Sequence, residues 1–344
     1  MPYKFFSNSK NAWQAMYGSI ESARESVYLE MYILEDDIDG FDFIKLLKEK
    51  AQSGVKVKII LDYFGSFSLS QTLIAGLKEA GAEVFFFSYF FHRTHRKILI
   101  ADENLAFIGG VNFNRSALFW DDLVMQVEGR LVSSIIQSFA RVYTECGGKD
   151  RSILFLGRRK IILNKTRAWL VEHFPVSKKP RLKIIYRKYL SGARKSIILV
   201  TPYFLPKRWL IKIIREAALR GVKVEVQVPK LTNYFILDRA AYFFMFKLSK
   251  LGVNFYLQSK MNHAKVMIID AKEGMVGSNN LDFLSFELNS EVGIFLKDEG
   301  TVGKLVEIVD EWKKDAVLFD FSVYKPKFFD YIFSPIFSVF TRIF

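Results

Sequence analysis

The chain repeats itself, and the repeat limits its fold more than any other feature. HRKILIAD occupies positions 95–102 and HAKVMIID occupies positions 263–270. Both copies carry a His, a Lys at +2 and an Asp at +7, although the whole chain contains only four His. After six further residues the first copy reads Gly109-Gly110-Val111-Asn112 and the second Gly277-Ser278-Asn279-Asn280. The neighbourhoods match as well. SARESVYLEMYIL (22–34) answers SGARKSIILVTPYFL (191–205), SGVKVKIILD (53–62) answers RGVKVEVQVP (220–229), and KEAGAEVFFF (78–87) answers SKLGVNFYLQ (249–258). The offset stays between 167 and 171 throughout, as a duplication with small insertions requires.

Within each copy, segments of helical and strand spacing alternate. FIKLLKEKAQSG (43–54) has helical spacing and ends at a glycine; the β-branched run VKVKIILD (55–62) follows, then a helix over 71–81 and a strand at AEVFFF. The second copy repeats this with helices predicted over 209–221 and 240–252. The alternation predicts an α/β fold, two similar units each with a mixed sheet flanked by helices. Two such units in one chain can meet about a pseudo-two-fold axis with the active site at their interface. The divisions read from the sequence are a first unit at 1–150, a basic connector with the second unit at 151–316, and an aromatic-rich tail at 317–344.

Alternate side chains of a strand share a face, so His95 and Lys97 point one way and Arg96 the other, and His263 and Lys265 do the same around Ala264. The glycines beyond each strand allow close backbone approach. Asn112, Ser278 and Asn280 supply polar groups for substrate binding. Brought together, two imidazoles, two ammonium groups and two amides suit a phosphodiester. One neutral His attacks phosphorus, while the other protonates the leaving oxygen and then deprotonates the acceptor. Lys97 and Lys265 stabilise charge on the non-bridging oxygens, so no metal or other cofactor is required. An acid that orients each imidazole would fix its tautomer. Asp122 and Glu291, each shortly downstream of its own motif, are the candidates. Asp102 and Asp270 at the strand ends either join the catalytic set or hold local structure. His92 and His173 match neither copy and are read as structural or exposed.

Composition limits the partners. The net charge is +14, and fourteen basic residues against one acid, Glu172, fall between Arg151 and Lys195. Such a segment is either a solvated connector or a surface for a polyanion, nucleic acid or an anionic bilayer. The single Cys146 forms no internal disulfide and reads as an incidental thiol. The N-terminal stretch has neither the pattern of a signal peptide nor that of a leading membrane span. Ten of the 28 residues in 317–344 are aromatic, with Lys325, Lys327 and Arg342 among them, a composition that suits an interfacial segment. FFFSYFF (85–91) and YFFMFK (242–247) line a lipid entrance or belong to the core. The aromatic excess favours a bilayer over DNA.

With H-x-K-x4-D and G-[GS]-x-N complete in both copies, the chain resembles the phospholipase D superfamily, and within it the bacterial cardiolipin synthases. YLEMYILEDD (28–37), LDYFGS (61–66), TPYFLP (201–206) and GSNNLDFLSFELNSE (277–291) carry the likeness, which runs from about residue 5 to about 315. The resemblance implies that His95, Lys97, Asp102, His263, Lys265 and Asp270 form the active-site set, with His95 as nucleophile and His263 as general acid. It implies phosphatidyl transfer between two phosphatidylglycerol molecules through a phosphatidyl-histidine, at the cytoplasmic face of the cell membrane. A phospholipase D-type hydrolase or nuclease would use the same residues on a different acceptor. A module that binds without turnover is disfavoured because both motifs are intact. Leu284 departs from the pattern, standing where an Arg is expected. Without a leading membrane segment, the chain is expected to be a peripheral protein.

Overall fold

A computed structural model describes residues 3–36, 38, 40–88, 92–158, 167–175, 177, 180–324 and 326. Two units emerge. The first runs to Glu172 and takes in Val276–Ser278 and Ser290–Ile294; the second holds His173–Met275, Asn279–Asn289 and the chain from Phe295.

In the first unit β1 (Tyr3–Asn8) leads into α1 (Ser9–Ser22), whose first turn is capped where the Asn8 side chain accepts the Asn11 N–H at 2.9 Å. β2 (Ser26–Met31), α2 (Phe43–Gln52), β3 (Lys56–Asp62), α3 (Gln71–Glu79) and β4 (Glu83–Phe87) follow as two strand–helix–strand crossovers. α2 stops ahead of Gly54, whose φ of +89° suits glycine, close to the stop predicted from sequence. β5 (Arg93–Thr94), β6 (Ile98–Ala101), β7 (Leu105–Gly109), β8 (Asp121–Glu128), α4 (Arg130–Glu145) and α5 (Arg151–Arg158) complete it.

Seven strands pair in the order β1-β8-β7-β6-β2-β3-β4; β2, β3 and β4 run parallel, while the pairs from β2 through β6, β7 and β8 to β1 are antiparallel. Period-two alternation gives the sheet two apolar faces. Val27, Leu29, Val57, Ile59 and Leu99 pack under Trp13, Met16, Phe43, Leu47 and Leu77 of α1–α3. On the opposite face Tyr28 stacks on Phe139 of α4 with ring centroids 5.4 Å apart. Each such aliphatic or aromatic burial contributes about 1.5–3 kcal/mol.

The first compact unit extends past residue 150 to Glu172, because α5 remains with α4 and Asp150 is tied to the first sheet. Its carboxylate lies 2.8 Å from Lys58 Nζ, and its N–H donates to the Tyr143 hydroxyl at 3.0 Å. Of the basic connector, residues 159–166, 176, 178 and 179 lie outside the described residues.

β9 (Ala168–His173) spans the division. The second unit then uses α6 (Arg181–Gly192), β10 (Ser196–Val200), α7 (Arg208–Leu219), β11 (Lys223–Pro229), α8 (Phe235–Ser249), β12 (Asn254–Gln258) and β13 (Val266–Ile269). β10, β11 and β12 are parallel and β13 is antiparallel to β10, repeating the first unit's registers. β14 (Glu273–Gly277), α9 (Phe283–Glu287), β15 (Asn289–Leu296) and α10 (Glu299–Lys314) lead to β16 (Ala316–Leu318), which pairs antiparallel with β12.

Two expectations shift here. α8 starts five residues before the predicted 240, because Asp238 accepts from the Thr232 N–H and hydroxyl at 3.0 and 2.6 Å and organises the first turn. The tail predicted from 317 begins inside β16, and Tyr324 packs on Tyr242, Phe246 and Phe319. The rest of the tail, with Lys325, Lys327 and Arg342, lies outside the described residues, as do Tyr89, Phe90 and Phe91.

Candidate active site

Glu30 pairs with Ile98 across β2 and β6, so the residues just before β6 lie at the edge where the parallel strands β2 and β3 end. His95, Arg96 and Lys97 occupy that edge between β5 and β6. They alternate as predicted, although regular pairing starts only at Ile98. His95 and Lys97 turn toward Tyr32, whose ring centre lies 4.8 Å from the imidazole and 4.9 Å from Nζ. Arg96 turns away and is fully buried, with Nη2 at 3.2 Å from Glu30 and 2.7 Å from Ser138 Oγ. Burial holds the Glu30 carboxyl above its ordinary pKa even with Arg96 and Thr94 beside it.

His95 Nδ1 lies 3.1 Å from both carboxylate oxygens of Glu291. The His95 backbone N–H donates to Ser290 O at 3.0 Å, which sets the strand carrying that acid beside it. Glu291 is wholly buried. Burial raises its pKa, but the charge and hydrogen bond of His95, the charge of Lys97 and the Ser278 hydroxyl outweigh that and hold it below the ordinary Glu value. An ionised acceptor at Nδ1 keeps the proton on that nitrogen and fixes the ring. Lys97 Nζ donates to His95 O at 2.6 Å, which ties the ammonium to the same turn.

The second unit repeats the local form. His263 and Lys265 are buried at the start of β13, and Lys265 Nζ donates to His263 O. Asn262 Oδ1 accepts the Ala264 N–H at 2.9 Å and shapes the approach to the strand.

Asp102 and Asp270 stand at the far ends of β6 and β13, away from the histidines. The Asp102 carboxylate accepts the N–H groups of Arg24, Glu25 and Ser26 at 2.7–3.0 Å; Asp270 accepts those of Arg194, Lys195 and Ser196 in the same way. Both adopt positive φ, 49° and 53°, in the tight turn after the strand. Burial pushes each carboxyl up, and the three backbone donors outweigh it, so both pKa values lie below the ordinary Asp value. This geometry favours the local-structure alternative over a place in the catalytic set.

Gly109 is obligatory, because a Cβ there would lie 2.1 Å from Leu123 O. At Gly110 a Cβ would lie 2.2 Å from the Asp122 carboxylate. The same position in the second copy is Ser278, whose buried hydroxyl donates to Glu291 and also approaches Val292 O at 3.3 Å. Ser278 therefore helps to position the acid. Asp122 and Glu291 occupy equivalent strand positions, since Gly110 N–H donates to Leu123 O and Ser278 N–H to Val292 O. Glu291 nevertheless faces the histidine of the other sequence copy. Asn112 O accepts the Trp13 indole N–H at 2.9 Å, while Asn280 N–H donates to Ser285 Oγ at 2.9 Å. In both copies the Asn side-chain oxygen is buried without a protein partner.

Sequence reasoning missed Tyr32, Arg93 and Asp62. Asp62 accepts the Thr94 N–H at 2.9 Å, and Arg93 Nη1 donates to the Tyr32 hydroxyl at 3.3 Å. Their signal is position alone: Tyr32 just beyond β2, Asp62 at the last place of β3, and Arg93 before the motif. Leu284 lies half-exposed in α9, and Cys146 has its thiol pKa pushed up to about 12 by burial, which leaves it unreactive. Among the described residues no group of three or more His, Cys, Asp or Glu could hold a metal ion.

Comparison with known proteins adds three findings. A family model described as "Cardiolipin synthase, PLD-like domain" matches residues 16–143 and 186–313. Cardiolipin synthase 2 of Bacillus anthracis is 31% identical over 87% of this chain and 62% of its own length; the cardiolipin synthase of Geobacillus sp. (strain WCH70) is 29% identical over 94% and 68%. The chain thus spans less than two thirds of the first relative. The crystal structure of phosphatidylserine synthase from Haemophilus influenzae Rd KW20 superposes with a TM-score of 0.77, covering 99% of this chain and 93% of that one, at 14% identity, which establishes likeness of fold.

Proposed function

Because the chain belongs to the cardiolipin synthase, PLD-like domain family, we propose that it is a phosphatidyltransferase condensing two phosphatidylglycerol molecules to cardiolipin and glycerol. His95 Nε2 attacks the phosphorus of the first lipid. The P–O bond to the glycerol headgroup breaks, and that oxygen leaves with a proton from His263. A hydroxyl of the second phosphatidylglycerol then gives its proton to His263, attacks phosphorus and displaces His95, which closes the cycle with no net proton change. Lys97 and Lys265 stabilise the non-bridging oxygens in both steps. Glu291 holds the tautomer of His95, and Asp122, at the equivalent position of the first copy, is assigned as the second orienting acid. Asn112 and Asn280 are assigned to the bound phosphate.

The observation that carries this reading is the His95–Glu291 contact at 3.1 Å. A buried ionised acid at Nδ1 turns an imidazole on a strand edge into an oriented nucleophile. The proposed working place is the cytoplasmic face of an anionic membrane, with the chain as a peripheral protein; its charge of +14 supports attraction to such a surface.

The test is product identification. Purified protein incubated with phosphatidylglycerol vesicles is expected to release cardiolipin and glycerol. Phosphatidic acid as the main product, or cleavage of added DNA, would replace this reading with hydrolysis.

A further inference from the structure

Exposed apolar side chains gather on the motif edge of the first unit, and a matching group stands on that edge of the second. Among the described residues of the first unit five large apolar side chains are exposed, and four stand there: Tyr63, Phe64 and Phe67 in the turn after β3, and Phe119 between β7 and β8. Phe67 is 80% exposed and Phe119 75%. Among the described residues of the second unit eleven such side chains are exposed, and four of them, Leu231, Tyr234, Phe235 and Ile236, follow β11 in the equivalent turn and the first turn of α8, with Phe235 at 74%. Turns normally carry small or polar residues, so two repeat-equivalent segments that expose aromatic and aliphatic side chains together need a partner.

Both turns are fixed rather than loose. Asp62 Oδ1 accepts the Phe64 and Gly65 N–H groups at 3.0 and 2.8 Å, and Ser66 Oγ donates to Tyr32 O at 3.0 Å. Gly65 admits no side chain, because a Cβ would meet Tyr32 O at 2.1 Å. In the second unit the Tyr234 N–H donates to Thr232 Oγ1 at 3.1 Å, and the Tyr242 hydroxyl to Lys230 O at 2.8 Å. Hydrogen bonds to the backbone thus define the two segments that carry the exposed side chains.

Cations accompany the rings. Arg93 lies 5.2 Å from the Phe64 ring centre and also donates to Tyr32, which touches His95. Exposed Lys230 precedes Leu231. Two acids share the first unit's edge: Glu35 accepts the Arg115 N–H at 2.7 Å, and exposed Asp36 lies in the same pocket as Arg115. Aromatic tips beside cations match the boundary between headgroups and acyl chains of an anionic bilayer.

We propose that the turns 63–67 and 231–236 enter that boundary and present the motif edge of each unit to lipid. This rests on the reading that the chain acts on a lipid. The test uses the full chain with Tyr63→Ser/Phe67→Ser, Phe235→Ser/Ile236→Ser, and all four together. Partitioning onto mixed phosphatidylglycerol–phosphatidylcholine vesicles is measured by sedimentation, and turnover is measured both on those vesicles and on short-chain phosphatidylglycerol below its critical micelle concentration. Each pair is expected to lower partitioning about tenfold or more, the removed apolar burial being worth at least one decade. Vesicle turnover should fall in step, with monomer turnover within about twofold of the parent chain. Partitioning equal to the parent's overturns the proposal. A change of oligomeric state with unchanged partitioning overturns it in favour of a second copy as the occupant. Loss of partitioning in a chain whose parent turns over neither substrate sustains the docking surface and removes the phosphatidyltransferase reading.

Discussion

Replacing Glu291 with Gln takes the ionised acceptor from His95 Nδ1 and leaves the rest of the buried contact nearly isosteric. We expect Glu291→Gln to lower kcat by on the order of 10²–10⁴-fold, with KM much less affected, because the loss falls on proton placement and not on binding. Steady-state kinetics beside a melting curve would check this; equal losses of activity and folded fraction would point to a structural role. The two turn aspartates give a different signature. Their folded pKa values are depressed, so each adds stability that is present above the unfolded pKa of about 3.9 and lost as pH falls through the folded value. Asp102→Asn/Asp270→Asn should melt below the parent at pH 7, with the difference shrinking as pH falls below about 4. Melting temperatures across pH 2–7 measure it. The repeat-equivalent burial of the two His-x-Lys pairs was legible because a duplicated template is hard to produce by chance. The partnership of Glu291 was not, since proximity in sequence ties it to its own motif while strand pairing carries it to a histidine 196 residues away.

At the scale of elements, β6 and β13 solve one packing problem in two ways. The first unit buries Glu30 against Arg96, whereas the equivalent register positions of the second unit are Val200 and Ala264, both buried and apolar. Removing one member of a buried ion pair typically costs about 3–5 kcal/mol, while exchanging both for apolar groups is often neutral or better. Arg96→Ala alone should therefore lower the melting temperature sharply, and Glu30→Val/Arg96→Ala should recover much of it. Calorimetry on the three proteins decides; a double variant as unstable as the single one would mean that Arg96 has a task beyond pairing. Elements with strong periodicity, such as α2 and β3, were legible to within two residues. β16 was not, because three residues carry no readable period and only its pairing with β12 defines it. The early start of α8 depends on the Thr232–Asp238 contact, which helical spacing does not encode.

For the molecule as a whole, the two-fold repetition of strand order was legible, because each copy carries its own crossovers and its own glycine stops. The boundary between units was not, since it depends on tertiary pairing of Lys58 with Asp150 and on which strands gather the segments near 276 and 290. If both motifs serve one phosphorus, His95→Ala and His263→Ala should each abolish turnover with folding retained, and EDTA should leave the parent's activity largely intact. Cardiolipin release with each variant, and with chelator, measures this. A loss restored by added divalent metal would count against charge stabilisation by lysine.

The first unit is discontinuous in sequence, and a ribosome meets that fact as a delay. After Glu172 has been synthesised, roughly 10 s of further translation separate His95 from the carboxylate it contacts, at bacterial elongation rates. A nascent chain thus holds every strand of the first sheet before the carboxylate that contacts His95 has been made. Any nonsense mutation before codon 291 would remove that contact from a histidine encoded two thirds of the way upstream.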